Sequence, residues 1–338
     1  MSIYDFSIKD IQSQFDVEPY RSRQIYELMY RHLGDFSKAT GLPKSLVAKL
    51  IDCEDFQNSL NIGKISKCDN DQTEKFLFEL KDKKVVESVL MHYYNRSSVC
   101  ISTQSGCKMN CSFCATGQMG FKRNLSKGEI VEQVIRLMRY CIDNGHRPIT
   151  NIVFMGMGEP LDNYENSIEA AWAFKNELNI GAKHITVSTV GIVPAIKRLT
   201  EENLPFRLAV SLHGSDNETR SKIVPINKKY PLEMLIESLT EYLESNRSRR
   251  LSLEWTLIKN VNDTQDQAVK LAKIAKKLRA HVNLIYLNPT AKIGYNASQT
   301  DAAVNFKSIL ENLNINVTLR KTRGQSINAA CGQLAYMN

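Results

Sequence analysis

The pattern of apolar and polar residues from residue 97 onward predicts strands that alternate with amphipathic helices. Short runs rich in β-branched and aromatic residues predict strands at 97–103, 150–155, 184–190, 206–212, 250–258, 281–287 and 315–320. Between most of them, apolar residues recur every three or four positions, as in a helix that buries one face. Ser126 and Glu129 have capping-box spacing and predict the start of the first helix. Repeated βα units favour parallel strands, and about six units predict an α/β fold, a partial (β/α)6 barrel.

The first third of the chain has a different pattern. Residues 1–75 space their apolar residues by three and four and predict helices, while the polar segment 67–74 predicts a linker. We therefore predict four parts: an N-terminal helical accessory domain at 1–75, linking strands at 76–96, the partial barrel at 97–320 and a C-terminal loop at 321–338 that contains Cys331. In such barrels the chemistry collects at the C-terminal ends of the strands.

Composition limits the cellular setting and the partners. The 338 residues are 43% hydrophobic and 24% charged, which predicts a packed core rather than disorder. No apolar run approaches the roughly 18 residues of a membrane span, and the N-terminus lacks the layout of a signal peptide. A cytoplasmic protein keeps its thiols reduced, so the eight cysteines favour metal binding, catalysis or core packing over disulfides. The net charge of +8 is compatible with a nucleic-acid partner.

Three of these cysteines lie within one short segment. Cys107, Cys111 and Cys114 follow the first predicted barrel strand with C-x3-C-x2-C spacing. Thiolates suit zinc or an iron–sulfur cluster. Zinc needs a fourth ligand, and the six histidines form no pair at zinc-finger spacing. A cluster bound through three irons leaves the fourth iron open to a substrate. A zinc knuckle and buried free thiols are the alternatives.

The cysteine spacing on a predicted βα barrel resembles the radical S-adenosylmethionine (SAM) superfamily, and Phe113 between the last two cysteines matches its pattern. The segments CISTQSGCKMNCSFCATGQMGFKRNLSKGEIVEQV, FMGMGEPLDNY, HITVSTVGIVPAI, AVSLH and NAACGQL occur in the order seen in the RlmN/Cfr family of RNA adenine methyltransferases. The resemblance implies a [4Fe–4S] cluster on Cys107, Cys111 and Cys114 and two SAM molecules per turnover. It also implies that the N-terminal domain binds RNA.

The same resemblance implies roles for three further residues. Adenine C2 lies between two ring nitrogens and is too electron-poor to attack the SAM methyl group, so a radical route is required. Cys331 accepts a methyl group from one SAM, and a deoxyadenosyl radical derived from a second SAM activates that methyl group for addition to C2. Cys100 then attacks the Cys331 sulfur, which forms a transient disulfide and releases the product. Glu87 corresponds to the base that removes the C2 proton.

The family-matched SAM contacts pass an independent test, because they follow successive predicted strands. These positions are Gly158, Glu159, Ser188, Ser211, Leu212, His213 and Asn288. A ligand at the mouth of a barrel requires this arrangement. Ser326 and Asn328 stand where the family usually has acidic residues. The loss of these charges puts loop closure or substrate preference in doubt. It leaves the Cys331 thiol in place.

The resemblance also implies the partners. It predicts 23S rRNA and tRNA as substrates, the tRNA at the adenosine 3′ of the anticodon, with an electron donor of the flavodoxin or ferredoxin type. We expect a monomer without membrane association. A Cfr-like enzyme that methylates adenine C8 is the nearest alternative. An iron–sulfur electron carrier or a non-catalytic RNA-binding protein is the alternative from another class, and neither would need Cys331 or the SAM contacts.

Overall fold

A computed structural model describes residues 1–246, 248–288 and 294–335 and contains twelve strands. They are β1 (Leu60–Lys67), β2 (Thr73–Leu80), β3 (Val85–His92), β4 (Ser97–Cys100), β5 (Gln104–Ser105), β6 (Arg123–Asn124), β7 (Ile149–Phe154), β8 (Ile185–Thr189), β9 (Arg207–Ser211), β10 (Leu251–Leu257), β11 (His281–Tyr286) and β12 (Val317–Leu319). Ten of them form one sheet in the order β1-β2-β3-β4-β7-β8-β9-β10-β11-β12, and β5 and β6 form a separate pair.

Eleven α-helices accompany these strands in the described residues. They are α1 (Ile8–Phe15), α2 (Pro19–Arg31), α3 (Lys44–Asp52), α4 (Ala115–Gln118), α5 (Lys127–Asp143), α6 (Tyr164–Asn176), α7 (Val193–Glu201), α8 (Asn217–Ile223), α9 (Leu232–Glu244), α10 (Gln265–Lys277) and α11 (Thr300–Asn312). The predicted capping box opens α5: the Glu129 amide donates to Ser126 Oγ, and the Ser126 amide donates to Glu129 Oε2. None of the helices described is both long and apolar enough to cross a bilayer.

Seven strands, β4 and β7 to β12, pair in parallel with one another and form the barrel. Helical crossovers link each strand to the next, so the chain has six βα units followed by a final strand. Within the described residues β1 and β12 are the edges of the sheet, which leaves the barrel open. The predicted α/β fold with a partial (β/α)6 barrel is confirmed. Parallel strands place all their C-terminal ends on one side, and the site is built there.

The helical prediction for residues 1–75 was wrong from residue 60 onward. Residues Leu60–Lys67 form β1, and the polar segment predicted as a linker is the turn of a β1–β2 hairpin. Strands β1 to β3 extend the barrel sheet in antiparallel fashion. Nearly all of β1 is exposed, so its apolar residues do not alternate in the way that identifies a half-buried strand. Backbone pairing with β2 determines its structure. The division into domains stays a prediction.

A buried carboxylate holds the N-terminal segment against the barrel. Glu132 of α5 is fully buried and accepts hydrogen bonds from the Ser2 hydroxyl at 2.8 Å, the Ser59 amide at 2.7 Å and the Leu60 amide at 3.0 Å. Buried carboxylates are stable only when hydrogen-bonded or paired in this way. The start of the chain and the start of β1 are therefore tied to the first helix of the barrel.

Candidate active site

The loop that carries the three neighbouring cysteines is closed at its base by a short ladder. Strands β5 and β6 pair Gln104 with Asn124 and Ser105 with Arg123, which brings the two ends of the loop together. Gly106 lies next to this ladder with φ of +75°, and a Cβ there would sit 1.8 Å from the Gly120 carbonyl oxygen. Only glycine fits both that conformation and that close approach. The tight turn explains how eight residues hold three cysteines in one place.

The three thiols lie in a desolvated setting. Cys107 and Cys111 are buried, Cys114 is partly buried, and all three are free. Burial raises the pKa of Cys107 to about 12 and that of Cys111 well above its usual value; the neighbouring thiols raise both further. Thiolates packed together away from water need a bound cationic group to remain ionised. The donor set therefore fits a metal centre.

The number of thiols favours a cluster over a single ion. Three cysteines on one loop can hold a cluster such as [4Fe–4S] with one iron left open. A structural zinc site would need a fourth protein ligand.

The residues after β7 lie beside the cysteine loop. Gly158 has φ of +102°, and a Cβ there would approach Gln104 Cβ to 2.6 Å. The amide of Glu159 donates to Gln104 Oε1 at 2.9 Å, and its carboxylate accepts from the Val190 amide at 2.9 Å. Burial raises the pKa of Glu159 to about 7, although hydrogen bonds from Thr189, Val190 and Leu161 oppose the shift. Glu159 thus connects the ends of β7 and β8.

Strands β8 and β9 end in the four family-matched positions Ser188, Ser211, Leu212 and His213. His213 is buried, and its Nδ1 accepts a hydrogen bond from the Thr256 amide at 2.9 Å. Burial, and the nearby Arg220 charge, lower the pKa of His213 to about 3, so the ring is neutral and carries its proton on Nε2. The ring also packs edge-on against Phe113 with centroids 4.6 Å apart. The cysteine loop and the end of β9 are therefore in direct contact.

Arg220 of α8 is a site residue that sequence reasoning missed. It is fully buried and donates to the carbonyl oxygens of Leu212 and Val190 and to Asn227 Oδ1. Burial lowers the pKa of Arg220 to about 10, while the neighbouring Cys111 raises it; in return the Arg220 charge lowers the pKa of Cys111. A lone arginine in a polar stretch predicts an exposed side chain, whereas in the fold it reaches the carbonyl groups that follow β8 and β9.

Replacing Arg220 with methionine is expected to lower the free energy of unfolding by about 3 kcal/mol or more, because three acceptors, two of them buried, lose their donor. Urea denaturation measures this loss. Arg198→Met is the matched control: its side chain is 42% exposed in ion pairs with Glu165 and Glu202. We expect that variant to lose less than about 1 kcal/mol. Equal losses in the two variants would contradict a structural role for Arg220.

The C-terminal loop brings Cys331 to the cysteine loop and to the end of β11. The Ala115 amide donates to the Gly332 carbonyl oxygen at 2.8 Å, and Asn288 Nδ2 donates to the Cys331 carbonyl oxygen at 3.1 Å. Asn288 Oδ1 is buried without a partner in the described residues. A buried acceptor without a donor is costly unless a ligand or water supplies one. Asn288 therefore fits the predicted role in holding a bound molecule.

Cys100 and Cys331 line the same cavity, which has a volume of about 720 Å³. Burial raises the pKa of both thiols, negative charge on Cys331 raises that of Cys100 further, and Arg320 lowers both. Charge on Cys114 also raises the pKa of Cys331. The structure thus brings Cys331 within electrostatic reach of both Cys114 and Cys100.

Glu87 lies beside this site rather than in its cavity. Its side chain is buried, and Oε1 pairs with Lys75 Nζ at 2.9 Å. Lys75 Nζ also donates to the Asn328 carbonyl oxygen at 3.3 Å, three residues before Cys331. Glu87 Oε2 is buried without a hydrogen-bond partner in the part of the chain described. The Glu87 carboxylate is therefore held next to the C-terminal loop, and its Oε2 atom has no hydrogen-bond partner among the described residues.

The two departures from the family pattern have structural partners of their own. Ser326 Oγ lies 3.2 Å from the Cys68 sulfur, in the turn between β1 and β2. Asn328 adopts a left-handed conformation with φ of 51°, which asparagine tolerates better than most residues. The predicted C-terminal part extends to residue 338, and residues 336–338 lie outside the described residues.

Known proteins share both the sequence and the architecture. A model of the radical SAM superfamily matches residues 101–291. A Dictyoglomus thermophilum protein named "Probable dual-specificity RNA methyltransferase RlmN" is 45% identical over 97% of this chain and 93% of its own length. A Clostridium botulinum protein of the same name is 42% identical over 98% of this chain and 96% of its own. A radical SAM methyltransferase from Sphaerobacter thermophilus has a crystal structure that superposes with a TM-score of 0.92 at 41% identity, covering 99% of each chain.

The similarity extends over nearly the full length of the chain. The chain therefore belongs to the RlmN family of the radical SAM superfamily.

Proposed function

We propose that this protein is a radical SAM methyltransferase that methylates C2 of adenosine in 23S rRNA and in tRNA next to the anticodon. The observation that carries the proposal is the position of Cys331, which shares a cavity with Cys100 and lies within electrostatic reach of Cys114. An electron carrier has no use for two further thiols outside its cluster site. The names of the relatives support RNA as the substrate class.

Cys107, Cys111 and Cys114 would hold the [4Fe–4S] cluster, and the strand ends would hold SAM. When bound, the two groups together supply the methyl group and a carbon-centred radical. Gly158 leaves room for a ligand to approach the backbone, and Asn288 Oδ1 offers a buried acceptor. His213 is neutral with a proton on Nε2, so it would offer a bound SAM a hydrogen-bond donor without adding positive charge to the site.

Cys331 carries the methyl group, and Cys100 later attacks its sulfur. Desolvation at the cavity wall raises the pKa of both thiols, although Cys331 is exposed to the cavity and Cys100 is buried, and the positive charge of Arg320 favours the thiolate of either one when its proton leaves. Glu87 has one buried oxygen free to accept a proton, while Lys75 holds the other oxygen. The Lys75 contact with Asn328 aligns that carboxylate with the loop that carries Cys331.

The substrate adenine must be unpaired, because C2 is shielded within a duplex. The cavity that Cys100 and Cys331 line also carries cationic side chains that suit a phosphate backbone: Arg96, Arg207, Arg250, Arg279, Lys321 and Arg323. The proposal includes a cytoplasmic monomer, an electron donor of the flavodoxin or ferredoxin type and an RNA-binding role for the N-terminal helices. The reducing compartment that free thiols require supports the cytoplasmic location.

Binding of SAM is expected to strengthen roughly tenfold from about pH 6 to about pH 7.5, because Glu159 must ionise to pair with the cationic ligand. Its pKa of about 7 leaves it mostly protonated at the lower pH. Equilibrium dialysis of SAM against the cluster-loaded enzyme measures the change. Glu159→Gln should remove the pH dependence, and a wild-type affinity that is constant over this range would contradict the role of Glu159.

The function is tested by mass spectrometry of nucleosides from RNA treated with anaerobically reconstituted enzyme, SAM and a reductant. We expect 2-methyladenosine in 23S rRNA and tRNA. Formation of 8-methyladenosine would replace the C2 assignment with C8. Absence of both products, with a cluster that still cleaves SAM, would overturn the proposed function.

A further inference from the structure

A second group of metal-binding side chains lies outside the cysteine loop. Glu74 of β2, His92 at the end of β3 and His146 after α5 have ligand atoms that all lie within 4.8 Å of one another. The two imidazole rings stack with centroids 4.1 Å apart and planes 29° apart. Glu74 and His92 are buried, and His146 is half-buried. The fold thus joins two histidines that are far apart in sequence and gives them a common carboxylate.

The hydrogen bonds around Ser97 determine the tautomer of His92. The Ser97 hydroxyl donates its proton to the Arg147 carbonyl oxygen at 2.8 Å, so it can only accept from His92 Nδ1, which lies 2.9 Å away. Nδ1 therefore carries a proton. In the neutral ring Nε2 then holds a lone pair, and this nitrogen lies 3.3 Å from Glu74 Oε2. If Nε2 carries no proton, two acceptors face each other, so either a proton or a metal ion lies between them.

The other side of the Glu74 carboxylate is fully occupied. Oε1 pairs with Lys67 at 2.9 Å and accepts from the Tyr140 hydroxyl at 3.0 Å. Burial pushes the pKa of Glu74 upward, but hydrogen bonds from Lys67, His92 and Tyr140 outweigh it, so the group is ionised at neutral pH. These contacts orient Oε2 toward the two histidines. The His146 amide donates to the Cys141 carbonyl oxygen at 2.8 Å, which holds His146 beside them.

We propose that Glu74, His92 and His146 bind one divalent transition-metal ion, for which zinc is the probe. Two imidazoles and one carboxylate are a recurrent zinc ligand set, and they leave a fourth position for water. The hydrogen bond from His92 Nδ1 to Ser97 is the outer contact that metal-bound histidines usually make. A metal ion takes the place of the proton between Nε2 and Oε2 and adds His146 as the third ligand.

Such an ion would link the antiparallel strands β1 to β3 to the barrel. Its ligands come from β2, the end of β3 and the segment that follows α5, and Ser97 begins β4. Arg323 donates to the His92 carbonyl oxygen at 3.1 Å. The segment that leads to Cys331 therefore contacts one of the three proposed ligand residues. The proposal does not depend on the proposed function, because it concerns residues that neither the cluster nor SAM would contact.

The test is a zinc titration of the reconstituted holoenzyme, in which the cluster occupies the cysteine loop, in competition with a chromophoric chelator. We expect one zinc per chain. His146→Ala should weaken zinc binding at least tenfold, and Ser97→Ala, which leaves all three ligands present, should weaken it by roughly 10- to 100-fold. His184→Ala is the matched control: His184 is also half-buried, and its ring contacts Asn151 instead of a carboxylate. Its zinc affinity should stay unchanged.

A holoenzyme that takes up no zinc against the chelator would overturn the proposal, and so would zinc binding that both variants retain in full. The melting temperature is a second measurement, because a ligand that binds only the folded state raises it. Zinc should raise it in the wild type and in His184→Ala but not in His146→Ala. If His146→Ala proves unfolded by circular dichroism, Ser97→Ala decides the outcome.

Discussion

Replacing Cys331 with alanine is expected to abolish RNA methylation, by about a thousandfold or more, while the iron content and SAM cleavage stay unchanged. The proposed mechanism passes the methyl group through this sulfur, and loss of a covalent catalytic group usually costs at least that much. Cys331 is exposed to the cavity and lies in a run of small residues, Ala329, Ala330 and Gly332, so alanine fits without a packing defect. Methylated adenosine is measured by mass spectrometry, and iron by a colorimetric assay.

Cys53→Ala is the matched control for this experiment. Cys53 is a free, partly exposed cysteine near the end of α3, and it plays no part in the proposed site. We expect it to retain full activity. A Cys331→Ala variant that made product at a rate within about tenfold of the wild type would contradict this route. The methyl group would then have to pass to the adenine without the Cys331 sulfur. That result would remove the observation on which the proposed function rests.

Replacing Cys111 with alanine is expected to lower the iron bound per chain to about a tenth or less and to eliminate both SAM cleavage and methylation. Cys111 is the most buried of the three loop cysteines, at 5% exposure. Two thiolates alone cannot hold the cluster with one iron open, and the raised pKa values of the remaining thiols oppose ionisation without the bound cations. Iron analysis and the visible absorption of the reconstituted protein measure the loss.

Cys141→Ala provides the control, because Cys141 is equally buried but lies in the hydrophobic core on α5. Its iron content should match the wild type. An iron content in Cys111→Ala equal to that of the control would contradict assignment of the cluster to this loop. Loss of iron in both variants would instead indicate general unfolding. Circular dichroism would distinguish an unfolded variant from a folded one that lacks a cluster ligand.

The C-terminal loop and the cysteine loop depend on each other in this fold. The Ala115 amide, one residue after Cys114, bonds to Gly332, one residue after Cys331. Thr116 Oγ1 donates to the Leu334 carbonyl oxygen from the same short helix, α4. A cluster that orders the cysteine loop would therefore also order the segment that carries Cys331. These contacts explain how two cysteines more than two hundred residues apart come to lie in neighbouring segments.

The sequence by itself determined the barrel, the cysteine loop and the polar strand ends. Periodicity predicts βα units because burial of one face sets the spacing of apolar residues, and parallel strands bring their C-terminal ends together by geometry alone. Gly158, Glu159 and Asn288 could therefore be placed at the barrel mouth from their positions in the sequence. The resemblance to a known family supplied the roles of Cys331, Cys100 and Glu87, which no local pattern predicts.

Only the tertiary structure decided where isolated residues meet. Strand β1 exists because β2 pairs with it, although its own exposed side chains carry no strand pattern. Arg220 is buried where it reaches the carbonyl groups that follow β8 and β9, and His92 at the end of β3 stacks on His146, which follows α5. Periodicity along the chain reports which face of an element is buried. It does not report which element covers that face, because such contacts join residues far apart in sequence.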